Sequence, residues 1–584
     1  MLFCIRSTFI FVSPLKKKAK NLYLKNIQIY TILFYLFTAP FQVLGQNLYL
    51  QLKIEKTDST QHKLSPALRF PDFSSMEKHV LKTVDSIQKT GFFSAKVTSL
   101  NKENDTLYIS TLALGAKINL IQLYLQDSLL NKYGQKLQLT EKNGHFLIAT
   151  GNLEDIMANF TALEAASGHP LSSFQLKNVT VTTDTLKATL SLDREKLRRI
   201  NKIVVNGYDK FPRAYLKYYA NLNTGKLFDK SRINKNFNQL TDLPFVNPIK
   251  DPEVLFENDS TTVFLYLEKN PANRFDGFLG FGNSADSGKL RLDGYLDLHL
   301  LNNLDYGELL EINYKSDGND QQTLRAAIEL PFLFSTPLGL KAELNLFRRD
   351  TTFSTNKQEL DLFYQFPGNL RLSTGVLLEN STALNDSLAP LQNQIVDYEK
   401  TLFNIGFSKV SRANENLFPI KSMVSFKTSY GNRNVLNISE SQFAVEGEAS
   451  YVFNLSQKQR FYIANTTKNL ITEQYYSNEL FRFGGITSIR GFNENSINAN
   501  FYTIFRSEYR YLAAPGLYVH SVADAAYFEN QLLNEQSFIY SFGLGAGILT
   551  NAGLLNINFA NGLRERENFK FSNTILHLRL TTFF

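Results

Sequence analysis

The sequence predicts a membrane β-barrel of 16 antiparallel strands, preceded by small mixed α+β modules. Three observations predict it. Residues 274–584 alternate apolar and polar side chains with a two-residue period. The alternating stretches run to about ten residues, the length of a strand that crosses a bilayer at a tilt. The chain is 13% aromatic, with 48 Phe and 28 Tyr, residue types that favour strands and membrane interfaces. The mean hydropathy of −0.20 fits such a barrel, because each strand shows one apolar and one polar face.

The first element is a leader. Lys16 to Lys25 form a basic region, Ile27 to Phe37 a short apolar region, and Val43-Leu44-Gly45 a cleavage site before Gln46. Residues 1–45 therefore read as a secretory signal, with an uncleaved anchor as the rival reading. The apolar run is short for a membrane-spanning helix. The basic region begins far from Met1, which points to a start downstream of it. Arg6, Lys16, Lys17, Lys18, Lys20 and Lys25 are its only charged residues, so removing it takes the formal charge from +8 to +2. The basic balance belongs to the leader, and no nucleic-acid partner is expected. Cys4 is the only cysteine. The mature chain thus excludes a disulfide scaffold, a thiolate metal site and a cysteine nucleophile. No cysteine follows the apolar region to carry a lipid anchor.

Residues 46–114, 115–196 and 197–270 read as three related modules. In the first, Met76 to Lys89 has helical period, with Val80, Leu81, Val84 and Ile87 on one face. A break at Gly91-Phe92-Phe93 and strands Ala95–Leu100 and Thr106–Leu112 follow. In the second, a helix over Leu153–Ala166 leads through Gly168-His169-Pro170 to strands near Ser173–Val181 and Thr185–Leu192. The third opens with strand Ile200–Val205 and a turn at Asn206-Gly207. Helices near Pro212–Tyr219 and Ser231–Leu240 come next, then strands near Pro252–Glu257 and Thr262–Glu268. Residues 55–72 match no pattern. "TGFFSAKV" (90–97) and "SGHPLSSFQL" (167–176) resemble the helix-to-strand corner of polypeptide-transport-associated (POTRA) domains. "INKIVVNGYDKFPRAYL" (200–216) resembles the opening of the POTRA domain nearest a barrel. The resemblance implies a periplasmic arm whose sheet edges accept extended segments of other chains.

Residues 271–584 form the barrel. Leu340, Ala342, Leu344 and Leu346 alternate with Lys341, Glu343 and Asn345. Leu360, Leu362, Tyr364 and Phe366 alternate with Glu359, Asp361 and Gln365. Sixteen candidate strands share the 311 residues 274–584, about 19 per strand with its connection. Closure satisfies every backbone group in lipid, which an open sheet cannot do. The first strand is expected at Phe275–Gly282, where Gly277 and Gly280 weaken its pairing. The last, Thr574 to Phe584, carries Leu576, Leu578 and Leu580 on one face and His577 and Arg579 on the other.

The sharpest motif, "FRFGGITSIRGF" (481–492), lies in a long segment between two strands, Ile471 to Asn500. Ile489-Arg490-Gly491-Phe492 matches the (V/I)-R-G-(F/Y) tip of the sixth extracellular loop in the BamA/TamA superfamily. That superfamily combines POTRA domains with a 16-stranded bacterial surface antigen barrel. The resemblance implies that the loop folds into the lumen and that the Arg pairs with an acid on a neighbouring strand. Glu508, in "FRSEYRYL" (505–512), shares a polar face with Arg506 and Arg510. Asp524, in "VADAAYF" (522–528), resembles the F-x-D-x-G strand motif with Ala526 in place of its Gly. By phase both acids face inward, and either suits a guanidinium that must be paired in a low-dielectric barrel. Gly491 supplies a positive φ or a close approach. "ENLFPIKSMVSF" (415–426) resembles a family strand that opens with Phe-Pro. The end at Phe584, with Leu578 and Leu580, resembles the C-terminal signal of assembled barrel proteins. The resemblance also implies a weak seam between last and first strands.

Gly543, Gly545 and Gly547 in "GLGAGI" fall on one strand face, with no helix or Lys-Ser/Thr after them, and read as small lumen-facing residues. No G-x-S-x-G, Walker loop or H-E-x-x-H occurs. Seven His are scattered without ligand spacing, and His520 and His577 lack a placed serine partner. No enzyme, metal or cofactor is expected. The resemblance implies insertion or translocation of client proteins at the bacterial outer membrane. Unfolded outer-membrane or secreted clients, outer-membrane lipids and periplasmic or inner-membrane accessory proteins are the implied partners. A dedicated secretion channel, a passive pore and a lipid-transport role are the alternatives.

Overall fold

The computed structural model describes residues 47–55, 63–125, 128–283, 290–316, 321–349, 352–384, 395–413, 415, 417–550 and 553–581. The expected leader and Phe584 lie outside the described residues. Modules one and two make up one compact unit. Module three and the barrel make up a second, with which residues 162–172 group.

In module one, strand Leu48–Glu55 pairs in parallel with Leu107–Ala113, which pairs antiparallel with Lys96–Lys102. The helix spans Phe73–Lys89 and starts three residues before the expected Met76. Asp72 caps it, its carboxylate accepting from Ser75 N–H at 2.8 Å, which satisfies a donor the helix itself cannot. Its apolar stripe buries Met76 and Val80 against Leu50 and Leu112. Leu68–Phe70, in the stretch that matched no pattern, form a strand on Leu48–Leu50.

Module two is a five-stranded sheet whose outer edge is Ser173–Thr182. Among the described residues that strand pairs only with Thr185–Asp193, and it leaves Val179 and Val181 exposed. The helix Leu153–Ala166 has the bounds that its sequence period predicts.

In module three, Lys202–Asn206 runs parallel to Thr261–Lys269, and Val246–Phe256 runs antiparallel to it. The helix expected over Pro212–Tyr219 is present over residues 213–219, but its last five residues, Tyr215–Tyr219, wind as a π-type turn. The wider turn sends Tyr215, Leu216 and Tyr219 together into the core, so packing sets the width of the turn rather than its helical character. This core continues into the barrel. Phe332, on the turn between the fourth and fifth strands, meets Tyr215 edge-on at 4.7 Å. Asn302 donates to the Tyr208 hydroxyl at 2.6 Å, and the Tyr215 hydroxyl donates to Gly307 O at 3.2 Å. Burial pushes the Tyr208 phenol up to about 12, so it stays neutral in this contact. Module three is thereby seated on the barrel's near end.

Among the described residues the barrel sheet has 16 strands, from Arg274–Asn283 to Thr574–Thr581, each antiparallel to its neighbour in chain order. Alternation sorts the two faces. Leu360, Leu362 and Tyr364 point outward, whereas Asp361, Phe363 and Gln365 are buried within. Several charges inside are paired, which offsets their removal from water. Arg325 grips Glu343 with two bonds of 2.9 and 3.0 Å and reaches Glu311 at 2.9 Å. Gly277 and Gly280 pair with Leu296 and Asp293 in a ladder that runs the length of the first strand. The first and last strands approach each other, but among the described residues no ladder joins them.

Candidate functional site

The loop between strands eleven and twelve, Gln459–Ile471 and Phe501–Ala514, does not project away from the barrel. It turns inward and carries a short hairpin, Phe481–Phe483 against Ile497–Ala499. Apolar side chains hold it there. Ile489 is fully buried with Phe483 and Ile497 against Tyr502, Ile504, Ala526 and Phe528 of the wall, and Phe492 packs at the margin. Gly484 and Gly485 take positive φ values of 118° and 99°. Gly484 N–H donates to Ser488 Oγ at 2.7 Å, and Gly485 N–H to Ile489 O at 3.1 Å. This tight turn presents Arg490.

Arg490 is 4% exposed and binds both candidate acids. Its Nε donates to Asp524 Oδ2 at 2.8 Å and one Nη to Asp524 Oδ1 at 2.6 Å. The planar fork thus meets the carboxylate with two parallel bonds. The other Nη donates to Glu508, and the Arg490 backbone N–H adds a bond to Asp524 at 3.2 Å. Glu508 in turn accepts from Arg510 at 2.7 Å. Register explains the meeting: Arg506 pairs with Asp524 across strands twelve and thirteen, so Glu508 lies two residues along the same inward face.

Gly491 has a φ of 79°, and its backbone touches strand fifteen. A Cβ there would stand 2.5 Å from Gly562 N, so the close approach requires glycine. The Gly491 N–H donates to His577 Nε2 at 3.1 Å. His577 lies on the inner face of the last strand, with Leu576 and Leu578 outward and Leu580 half-buried. This link from the motif to the last strand was not foreseen from sequence.

Neighbouring residues fill the lumen. Phe418 of the Phe-Pro pair meets Tyr518 edge-on at 4.8 Å, with the Arg510 guanidinium 5.0 Å from its ring. Gly545 and Gly547 lie under His520 and Tyr518, where a Cβ would meet those rings. His520 pairs with Asn558 at 2.8 Å. A cavity of about 640 Å³ remains inside the barrel, lined by charged residues including Arg325, Glu343, Lys427 and Glu446.

Sequence reasoning missed a second polar cluster at the base of the loop, where Glu479 meets Arg433, Lys400 and Gln442. These residues come from distant points of the chain and form no local pattern. A buried acid within a loop was the available signal, and burial is not legible at a single position.

No family model and no curated protein matches the chain. Solved structures do. CdiB from Escherichia coli is similar over 87% of this chain and 97% of its own, at 11% identity and a TM-score of 0.51. CdiB from Acinetobacter baumannii covers 88% and 98%, at 12% identity and a TM-score of 0.49. BamA from Haemophilus ducreyi lacking POTRA domains 1–3 covers 80% and 100%, at 14% and 0.48. At such identities the likeness is one of fold. The chain, a barrel of 16 strands preceded by α+β modules, shares its overall fold with CdiB from Escherichia coli.

Proposed function

We propose that this protein inserts or translocates client proteins at the bacterial outer membrane, with its modules in the periplasm. The observation that carries this reading is the seam. Among the described residues, Arg274–Asn283 and Thr574–Thr581 each have a ladder on one side only. An unpaired backbone group in hydrocarbon costs several kcal/mol. Two such edges side by side form the place in the barrel where an incoming strand gains most by pairing. The open edge of Ser173–Thr182 in module two offers a similar template to an extended segment outside the membrane. Strand capture there, then pairing at the seam, needs no nucleotide. Arg490, Glu508 and Asp524 hold the loop against the wall, and the Gly491–His577 bond ties it to the last strand.

The test is depletion of the protein in cells, with outer-membrane proteins quantified. A general assembly factor lowers the levels of many barrel proteins. Unchanged levels of all of them sink that role, and loss of one secreted protein alone assigns the barrel to a dedicated channel.

A further inference from the structure

The loop is held at two places on the ring of strands. Its tip bonds to strands twelve, thirteen and sixteen through Glu508, Asp524 and His577. Its stem, residues 474–482, bonds to strands seven to ten. Glu479 has no exposed side-chain surface. It accepts from Arg433 at 2.5 Å, from Gln442 Nε2 at 3.0 Å and from the Tyr476 N–H at 3.1 Å. Lys400 Nζ stands 3.7 Å away. Arg433, equally buried, also binds Glu440 and donates to Gln474 O at 3.0 Å, with Tyr476 stacked 4.5 Å from its guanidinium. One residue before, Asn478 donates to Ser381 Oγ and Val396 O, both at 2.8 Å.

These contacts share no residue with the Arg490 cluster. A carboxylate wholly removed from water is held only by its partners, and Glu479 has two cations and two neutral donors. We propose that the Glu479–Arg433 cluster is a second latch, independent of the tip. The loop then works as a hinged arm: the stem stays across the lumen when Arg490 lets go, and the tip alone swings away from the last strand. Glu479 and Arg433 are positioning residues, acting on the pore through the loop they fix. This holds whichever clients the barrel serves.

The test uses the full chain in planar lipid bilayers, with folding of each variant checked by its heat-dependent gel migration. Arg490→Ala and Glu479→Gln singly are expected to stay within about twofold of wild-type conductance. The double variant is expected to rise by about an order of magnitude, because a cleared 16-stranded lumen is a water-filled channel. Either single variant conducting like the double overturns the proposal, as does a double variant as closed as wild type. A second measurement does not depend on conductance. Asn478→Cys with Ser381→Cys places two thiols where side chains now touch, in a chain whose only native cysteine is Cys4. The disulfide is expected to form equally fast with and without Arg490→Ala. Loss of the cross-link in the Arg490→Ala background means that the stem leaves with the tip.

Discussion

At the residue scale, the two acids around Arg490 are not equivalent. Asp524 has no exposed side-chain surface and receives three of the four bonds from Arg490, counting its backbone N–H. Glu508 is slightly more exposed and keeps a second cation, Arg510, at 2.7 Å. Removing one partner of a buried pair costs about 3–5 kcal/mol, mostly because the survivor is left uncompensated. Asp524→Asn is therefore expected near the upper end of that range, and Glu508→Gln well below it. The double variant Arg490→Ala/Asp524→Ala should lose far less than the sum of its singles, since neither charge is left alone. Urea titration of the barrel in detergent, followed by gel migration, measures the order; equal losses for the two acids would contradict it. Spacing in the sequence left the choice between the acids open. The inward phase of each was legible from alternation, but the bonds depend on register between strands twelve and thirteen and on a loop that returns to them.

At the scale of elements, alternation and helical period carried far because they record which side of an element is wet. The helix Leu153–Ala166 and the number of barrel strands both follow from such periods. Where packing rather than local period decides, sequence reading fell short: it missed the π-type winding of Tyr215–Tyr219 and the strand Leu68–Phe70. The Tyr215 turn has a consequence for the arm. Its ring lies edge-on to both Phe245 and Phe332, at 5.4 and 4.7 Å, joining module three to a barrel turn. Truncating a buried aromatic costs about 3–5 kcal/mol through lost contact and the cavity left behind. Tyr215→Ala is expected to speed amide exchange across Tyr208–Leu222 and around Gly307 while the barrel strands stay protected. Exchange confined to the substituted turn would mean that Tyr215 does not couple module to barrel. Tyr215→Phe, which loses only the bond to Gly307 O, should remain close to wild type.

For the whole molecule, the question is where a barrel that must hide its backbone from lipid can admit another chain. Every strand from the second to the fifteenth is paired on both sides. Opening the ring at any of those ladders would strip hydrogen bonds from both new edges in a medium that offers no replacement. Among the described residues no ladder closes the seam, so on the proposed function a client strand pairing there would gain the bonds that the two edges lack. The Gly491–His577 bond braces the last strand from inside, so the first strand is the freer edge. Phe275 on that strand points outward, as do Phe403 and Ile405 on strand eight, halfway round the ring. A photo-reactive amino acid at position 275 is therefore expected to capture newly made barrel proteins in cells. The same probe at 403 or 405, more exposed than Phe275, should capture few. Equal capture at all three positions would mean that clients meet the barrel through lipid at random, and that the seam does not receive them.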